Sequence, residues 1–321
     1  MIRLGYACIC NGINEHMHTI TYTNYQKNNK LLEGIIKKNF EILKKILIYN
    51  NKNNIHFFRL SSNFIPCASI INYDFPNIFK KEFQDISKLI KGRFDMHLSE
   101  YCILNSINKD VVKRSINEIK YHYKLLKCFK IKPNLIIHIG SKALGKENSI
   151  KRFINNFNKL PKYLKESLII ENDDKVFNVE DTLNLCKQIN RPMVLDIHHH
   201  YCNKTTNDIS FYLEDIFNTW KEIPKIHFSS PKNKKDFRSH NDYINSDDFI
   251  NFIKLINRDI DIMLEAKAKD DALFKLVREL KYKTNYTFID ETTIKNNSIP
   301  YWFILYNHIL YFWGILWTKK I

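Results

Sequence analysis

Three observations predict a (β/α)8 TIM barrel folded as a single domain. Eight short apolar runs alternate with longer amphipathic segments, the rhythm of strand and helix in a parallel sheet. A length of 321 residues, 44% of them hydrophobic, suits one barrel with a sizeable core. With seven glycines and no Gly-rich phosphate loop, a dinucleotide-binding fold is disfavoured. A doubly wound open sheet would share the alternation, so the count of eight carries the choice.

The strand-like runs are Ile2–Ala7, Ile55–Leu60, Phe94–Leu98, Leu135–Ile139, Leu168–Ile170, Met193–Leu195, Lys225–Phe228 and Ile262–Leu264. Each is short and apolar, as expected of strands buried on both faces. Between them lie Leu32–Tyr49, Phe79–Lys91, Val111–Cys128, Ile150–Leu164, Val179–Gln188, Leu213–Trp220 and Asp248–Ile256, with apolar residues spaced mainly by three and four. The barrel is expected over residues 1–288, followed by a hydrophobic tail over 289–321. Within the tail, the 19 residues Ile299–Trp317 carry no formal charge and just reach the length of a bilayer span. Pro300, Asn307, His308 and many aromatics argue against a span. A terminal helix that closes the barrel is the alternative.

Lys and Arg total 50 against 34 Asp and Glu, a formal charge of +16. That excess favours a polyanionic partner, nucleic acid first and an anionic membrane surface second. The seven cysteines are scattered, odd in number and free of any CxxC pair. They read as free thiols in a reducing compartment. Met1 leads directly into a strand-like run with no signal peptide, so a cytoplasmic protein is expected.

The chemistry collects at the strand ends. In Arg191–Cys202, RPMVLDIHHHYC, an apolar run stops at Asp196, followed by His198, His199 and His200. The pattern recurs: the third run ends at His97, the fourth at His138, the fifth at Glu171, the seventh at His227 and the eighth at Glu265. The first ends near Tyr6 and the second at Arg59–Asn63. In a parallel barrel all strand C-termini open on one face, so these side chains converge. Mixed imidazoles and carboxylates suit Mn2+ or Zn2+ rather than a thiolate-selected metal. So many ligands imply two or three ions, with carboxylates such as Glu171 and Asp196 bridging cations about 3.5–4 Å apart. With the basic chain, the chemistry indicated is phosphodiester hydrolysis on nucleic acid. A metal-dependent sugar isomerase of similar barrel fold and a DNA-binding protein without catalysis are the alternatives.

Ten segments carry a more specific resemblance: IRLGYAC, FRLSSNFIPCAS, MHLSEY, VVKRSINEIKYHYKLL, IIHIG, LIIENDDKVFNVEDTL, VLDIHHHYCN, PKIHFSSPK, FRSHNDYI and IMLEAKAKDDAL. From about Ile2 to about Leu280, in order, the chain resembles the UV damage endonucleases, which are related in fold to the endonuclease IV group of metal-dependent repair barrels. The resemblance implies nicking of double-stranded DNA immediately 5′ to a UV photoproduct, by a monomer without a nucleotide cofactor. It implies Mn2+ first, with Zn2+ or Mg2+ as alternatives.

By position, the resemblance makes His97, His138 and Glu171 ligands of one ion, and Glu171, Asp196, His227 and Glu265 those of a second. His199 and His240 would serve a third. Lys225 falls where the family has a lysine carboxylated beside the metals, which places it with Glu171, Asp196 and Glu265 as catalytic. Lys267 and Lys269 are expected at DNA phosphates. Tyr6 and the MHLSEY loop fall where the family probes the damaged strand, with Tyr101 the candidate wedge. Leu98 and Glu100 stand where proline and glutamine are common, and Ser141-Lys142 replaces a glycine pair. An asparagine expected after GYxC is assigned to Asn11, although Cys10 holds the aligned register. On alternation, His198 points away from the ligands.

Overall fold

The computed structural model describes residues 1–295. Eight parallel strands close into a barrel: β1 (Ile2–Ala7), β2 (Phe57–Leu60), β3 (Arg93–His97), β4 (Leu135–His138), β5 (Leu168–Glu171), β6 (Met193–Asp196), β7 (Lys225–Phe228) and β8 (Ile260–Leu264). Neighbours pair in chain order, and β1 closes the ring by pairing with both β8 and β2. The (β/α)8 expectation is therefore met, with the strands starting or ending within two residues of the runs read from sequence.

Each strand is followed by an outer helix: α1 (Leu31–Lys52), α2 (Lys80–Ser87), α3 (Lys109–Cys128), α4 (Lys146–Asn158), α5 (Val179–Ile189), α6 (Ser210–Asn218), α7 (Ser246–Ile253) and α8 (Lys269–Lys283). Polar caps set several starts. Asn178 accepts from the Asp181 N–H while Asp181 bonds back to the Asn178 N–H, a capping box that begins α5. Asn108 and Asn245 cap α3 and α7. The segment expected as one helix over Ile150–Leu164 breaks at Pro161, and a separate short helix spans Lys162–Ser167.

Strand parity divides the core. Ile2, Leu4 and Tyr6 pack outward with α1 and its neighbours, where Phe40 of α1 meets Phe64, Phe79, Phe83 and Phe129 edge-on or tilted. Burying each such ring contributes about 1.5–3 kcal/mol. Arg3, Gly5 and Ala7 face the lumen. Closure there demands glycine at position 5, because a Cβ would lie 2.2 Å from the Phe57 carbonyl oxygen. Inside, the apolar clusters Ala7–Phe57–Met263 and Ile136–Ile169–Val194 separate a charged floor from a charged mouth.

A ninth strand, β9 (Thr293–Ile294), runs antiparallel to the start of β1. Thr293 and Ile294, assigned to the tail on sequence, thus join the sheet beside the start of β1. Ile299–Trp317 lies outside the described residues. The seven cysteines are all free thiols.

Candidate metal centre

Five consecutive strands place their last inward-facing residue at the mouth: His97 (β3), His138 (β4), Glu171 (β5), Asp196 (β6) and His227 (β7), with Glu265 just past β8. Glu171, wholly buried, joins two groups. Its Oε2 lies 2.7 Å from His97 Nε2 and 3.6 Å from His138 Nε2. Its Oε1 lies 2.6 Å from His227 Nδ1, which is 3.3 Å from Glu265 Oε1 and 4.0 Å from Asp196 Oδ2. Donor atoms of His97, His138 and Glu171 lie within 4.8 Å of one another, and so do those of Glu171, Asp196, His227 and Glu265. These are the two ligand sets expected from the sequence, with Glu171 shared.

The donors suit a cation. Asp196 Oδ1 accepts from the His199 N–H, but its Oδ2 is buried with no hydrogen-bond partner. An unpartnered buried carboxylate oxygen facing other acceptors is costly unless a cation meets it. Outer partners fix the rings: His97 Nδ1 bonds to Leu98 O and His199 Nδ1 to Asn172 O, leaving each Nε2 toward the mouth. Asn172 in turn pairs with the Asp196 backbone through both its N–H and its carbonyl.

Electrostatics follow. Burial would raise the Glu171 carboxyl, but His227, His138 and His97 outweigh it and hold it well below the usual range. Burial is likewise overcome at Glu265, chiefly by Arg59. Burial opposes charge on His199, yet Asp196 and Glu171 lift it to about 9.

His199 and His240 stand apart from both sets. Their ring centroids are 6.5 Å apart, His240 Nδ1 is 4.0 Å from Glu265 Oε2, and His199 Nδ1 is 3.8 Å from Glu171 Oε1. They lie beside the centre, without a third compact group among the described residues. His198 does turn away: it sits in a short helix, Ile197–Cys202, capped by Asp196, bonds to Arg238 O and packs edge-on against His240.

One expectation is corrected, and a second residue lies deeper than the strand ends suggested. Tyr6 is fully buried, with its hydroxyl on Asn50 Oδ1 at 2.7 Å, and cannot reach DNA. It occupies an outward position of β1 under α1, a parity the sequence already contained. Lys225 shares the inward parity of His227 but lies two residues below it, wholly buried, its Nζ 2.5 Å from Asp95 Oδ2. Burial lowers its pKa to about 8 despite Asp95. Lys225 thus sits directly beneath the candidate ligands, paired to Asp95.

Asp95 was missed as a site residue, and Arg59, read only as a strand end, was given no role. Arg59 is 5% exposed and contacts Asp95 Oδ1 at 3.2 Å, Glu265 Oε1 at 2.5 Å and His227 Nε2 at 2.5 Å. Asp95, two residues before His97, could have been found by the same alternation that placed Lys225 with His227.

At the rim, Glu100 and Tyr101 are exposed on the loop after β3, Tyr101 at 75%. Asn11 is exposed and its amide donates to Ala268 O and Asp271. Buried Asp270 accepts from the Asn11 and Gly12 N–H groups, fixing this loop to the start of α8. Lys267 is exposed and Lys269 half-buried on that same stretch. The loop after β7 folds back through a Pro231–His240 bridge and carries exposed Lys232, Lys234, Lys235 and Arg238, basic residues not singled out from the sequence.

The chain is thus a (β/α)8 barrel with a buried imidazole–carboxylate nest at its mouth. Endonuclease IV from Thermus thermophilus shares the fold, with a TM-score of 0.57 at 12% identity over 88% of this chain and all of that one. The match then narrows: a family model described as UV-endonuclease UvdE covers residues 2–297, and the chain belongs to that family. A UV DNA damage endonuclease of Bacillus thuringiensis subsp. konkukian is 34% identical over 295 residues, spanning 86% of this chain and 93% of the relative. The crystal structure titled SacUVDE superposes with a TM-score of 0.83 at 35% identity, covering 88% of this chain and 99% of that one.

Proposed function

We propose that the chain is a DNA repair endonuclease that hydrolyses the phosphodiester immediately 5′ to UV photoproducts in duplex DNA, using two or three divalent ions, Mn2+ foremost. The observation that carries this reading is Glu171, whose two oxygens face separate groups of donors as a bridging carboxylate would. Family membership and relatives named for UV DNA damage support the substrate. His97, His138 and Glu171 would hold one ion; Asp196, His227 and Glu265 would join Glu171 in holding a second, with His199 and His240 beside them. Bound there, such ions acidify water and stabilise charge developing on the oxygens around phosphorus.

The chain's own groups do the rest. Asp196 and Glu265 present carboxylate oxygens toward the mouth, while Arg59 pins Glu265 and His227 from below. Lys267, Lys269 and the basic loop after β7 offer contacts for phosphates, which fix position rather than sequence. Asn11 lies at the same rim. Exposed Tyr101 would fill the gap left by unstacked bases, which costs least at a distorted lesion.

The test is to incubate metal-loaded protein with UV-irradiated and untreated supercoiled plasmid. Lesion-dependent nicking leaving 3′-hydroxyl and 5′-phosphate ends, abolished by EDTA, is expected. Binding without nicking would reduce the chain to a damage-binding protein, and indifference to DNA would return the barrel to small-molecule chemistry.

A further inference from the structure

Leu144 sits in the rim loop that follows β4 and its ligand His138. It is 73% exposed, and its φ of +64° lies in the left-handed region that glycine or asparagine normally fills. An exposed apolar side chain on a strained backbone gains nothing in the free protein, where Asn or Gly would fit at lower cost.

The loop holding it is firmly built. The Gly145 N–H donates to Lys142 O at 2.9 Å, Asn148 Nδ2 donates to Leu144 O at 2.9 Å, and Ser149 Oγ and Arg152 Nη2 both donate to Ala143 O. The loop is also stapled to the one after β3. Buried Asn105 donates to Ser141 O at 2.7 Å and accepts from the Ser141 N–H at 2.9 Å, while Arg152 Nε donates to Asn105 O at 2.9 Å. Gly140, at φ +106°, permits this approach: a Cβ there would lie 2.8 Å from Asn105 Oδ1. The two loops, rooted on His97 and His138, are therefore one platform. It presents Tyr101 from the first loop and Leu144 from the second.

We propose that Leu144 is an apolar wedge that enters the DNA duplex at the lesion and works with Tyr101 on this shared platform. The proposal rests on the reading of the chain as an endonuclease of damaged duplex DNA. Apolar wedges part a base step and kink the duplex, and the side chain then leaves water only in the complex. Rigid presentation limits the ordering cost of binding. The backbone strain is retained because it aims the side chain outward.

The experiment compares wild type, Leu144→Asn and Leu144→Met on a duplex holding one photoproduct with 2-aminopurine beside it. Asn suits the left-handed backbone, so Leu144→Asn should keep or raise Tm while weakening lesion binding about tenfold and suppressing the 2-aminopurine fluorescence rise. Leu144→Met should restore both binding and fluorescence. Wild-type binding and fluorescence in Leu144→Asn would overturn the wedge and leave the endonuclease reading standing. A wild-type protein that neither binds nor nicks the lesion duplex would overturn that reading, and the wedge with it. A lowered Tm in Leu144→Asn would mark Leu144 as structural and also overturn the wedge.

Discussion

The barrel holds two buried charged clusters, one at each end, and they differ in how completely their oxygens are matched. At the floor, Arg3 grips Asp261 with Nε at 2.6 Å and Nη2 at 2.8 Å, and Arg93 Nη1 adds a third contact at 2.7 Å. Both oxygens of that carboxylate meet guanidinium. At the mouth, Glu171, Asp196 and Glu265 converge on one another and on imidazoles, and Asp196 Oδ2 has no hydrogen-bond partner. A cluster whose carboxylate oxygens are all met holds the fold, whereas an acceptor-rich one with an orphaned oxygen suits a cation from outside. Arg59, Asp95 and Lys225 lie between the ends; Lys225 pairs with Asp95, and Arg59 pairs with Asp95 below and with Glu265 above, which leaves Asp196 Oδ2 without a hydrogen bond.

The largest expected effect is at the mouth. Glu171→Gln should reduce nicking by three orders of magnitude or more, about 4 kcal/mol of barrier, while DNA binding persists. His227→Ala should behave alike. Metal content by mass spectrometry and the rise in Tm on adding Mn2+ should fall together in both variants. Nicking near the wild-type rate with full metal occupancy would erase the distinction between the ends.

Next comes the floor. Asp261→Asn should cost about 3 kcal/mol of stability by leaving two guanidinium groups facing a neutral amide. Urea unfolding measures this, and the metal bound per folded molecule should not change. A loss of metal with unaltered stability would reverse the assignment.

Third, His122 sharpens the contrast among buried imidazoles. Burial in α3 without a carboxylate partner lowers its pKa to about 4, whereas Asp196 and Glu171 raise His199. In the unfolded chain His122 titrates near about 6.5. Between those values the unfolded state binds the extra proton, so stability is full above pH 6.5 and falls toward pH 4, by up to about 3 kcal/mol. The drop between pH 7 and pH 4.5 should be smaller in His122→Gln; equal slopes would show that the ring does not stay neutral in the fold.

The smallest effect concerns the rim. Glu100→Gln should tighten binding to a lesion duplex about two- to fivefold, because an exposed carboxylate near phosphates is worth under about 1 kcal/mol. The gain should shrink as salt rises. Unchanged affinity at low salt would direct Glu100 away from DNA.

Much of this was readable in the chain itself. The candidate ligands stand at strand ends because a parallel barrel opens every strand C-terminus on one face, and apolar runs that stop at His, Asp or Glu reveal them. What escaped depended on parity and on sequence-distant partners. Tyr6 looked like a rim residue because it closes an apolar run, but its even position turns it outward onto Asn50. Asp95 sits inside a strand, where a carboxylate reads as an interruption until Lys225, 130 residues away, supplies its partner. The triple histidine was legible as ligand-rich, and alternation already turned His198 away; what escaped is that Asp196 caps a short helix there, so the three histidines lie on a helical turn rather than a strand.

The short β9 has a practical consequence. It pairs Ile294 with Ile2 and Thr293 with Arg3, at the entry end of β1, so Lys295 lies at the floor. Six residues of strand, about 20 Å, separate that end from the mouth. A surface linker or fluorophore attached at the floor end of β1 would therefore hang from the back of the barrel. The enzyme could be immobilised there for single-molecule work with its DNA approach left clear.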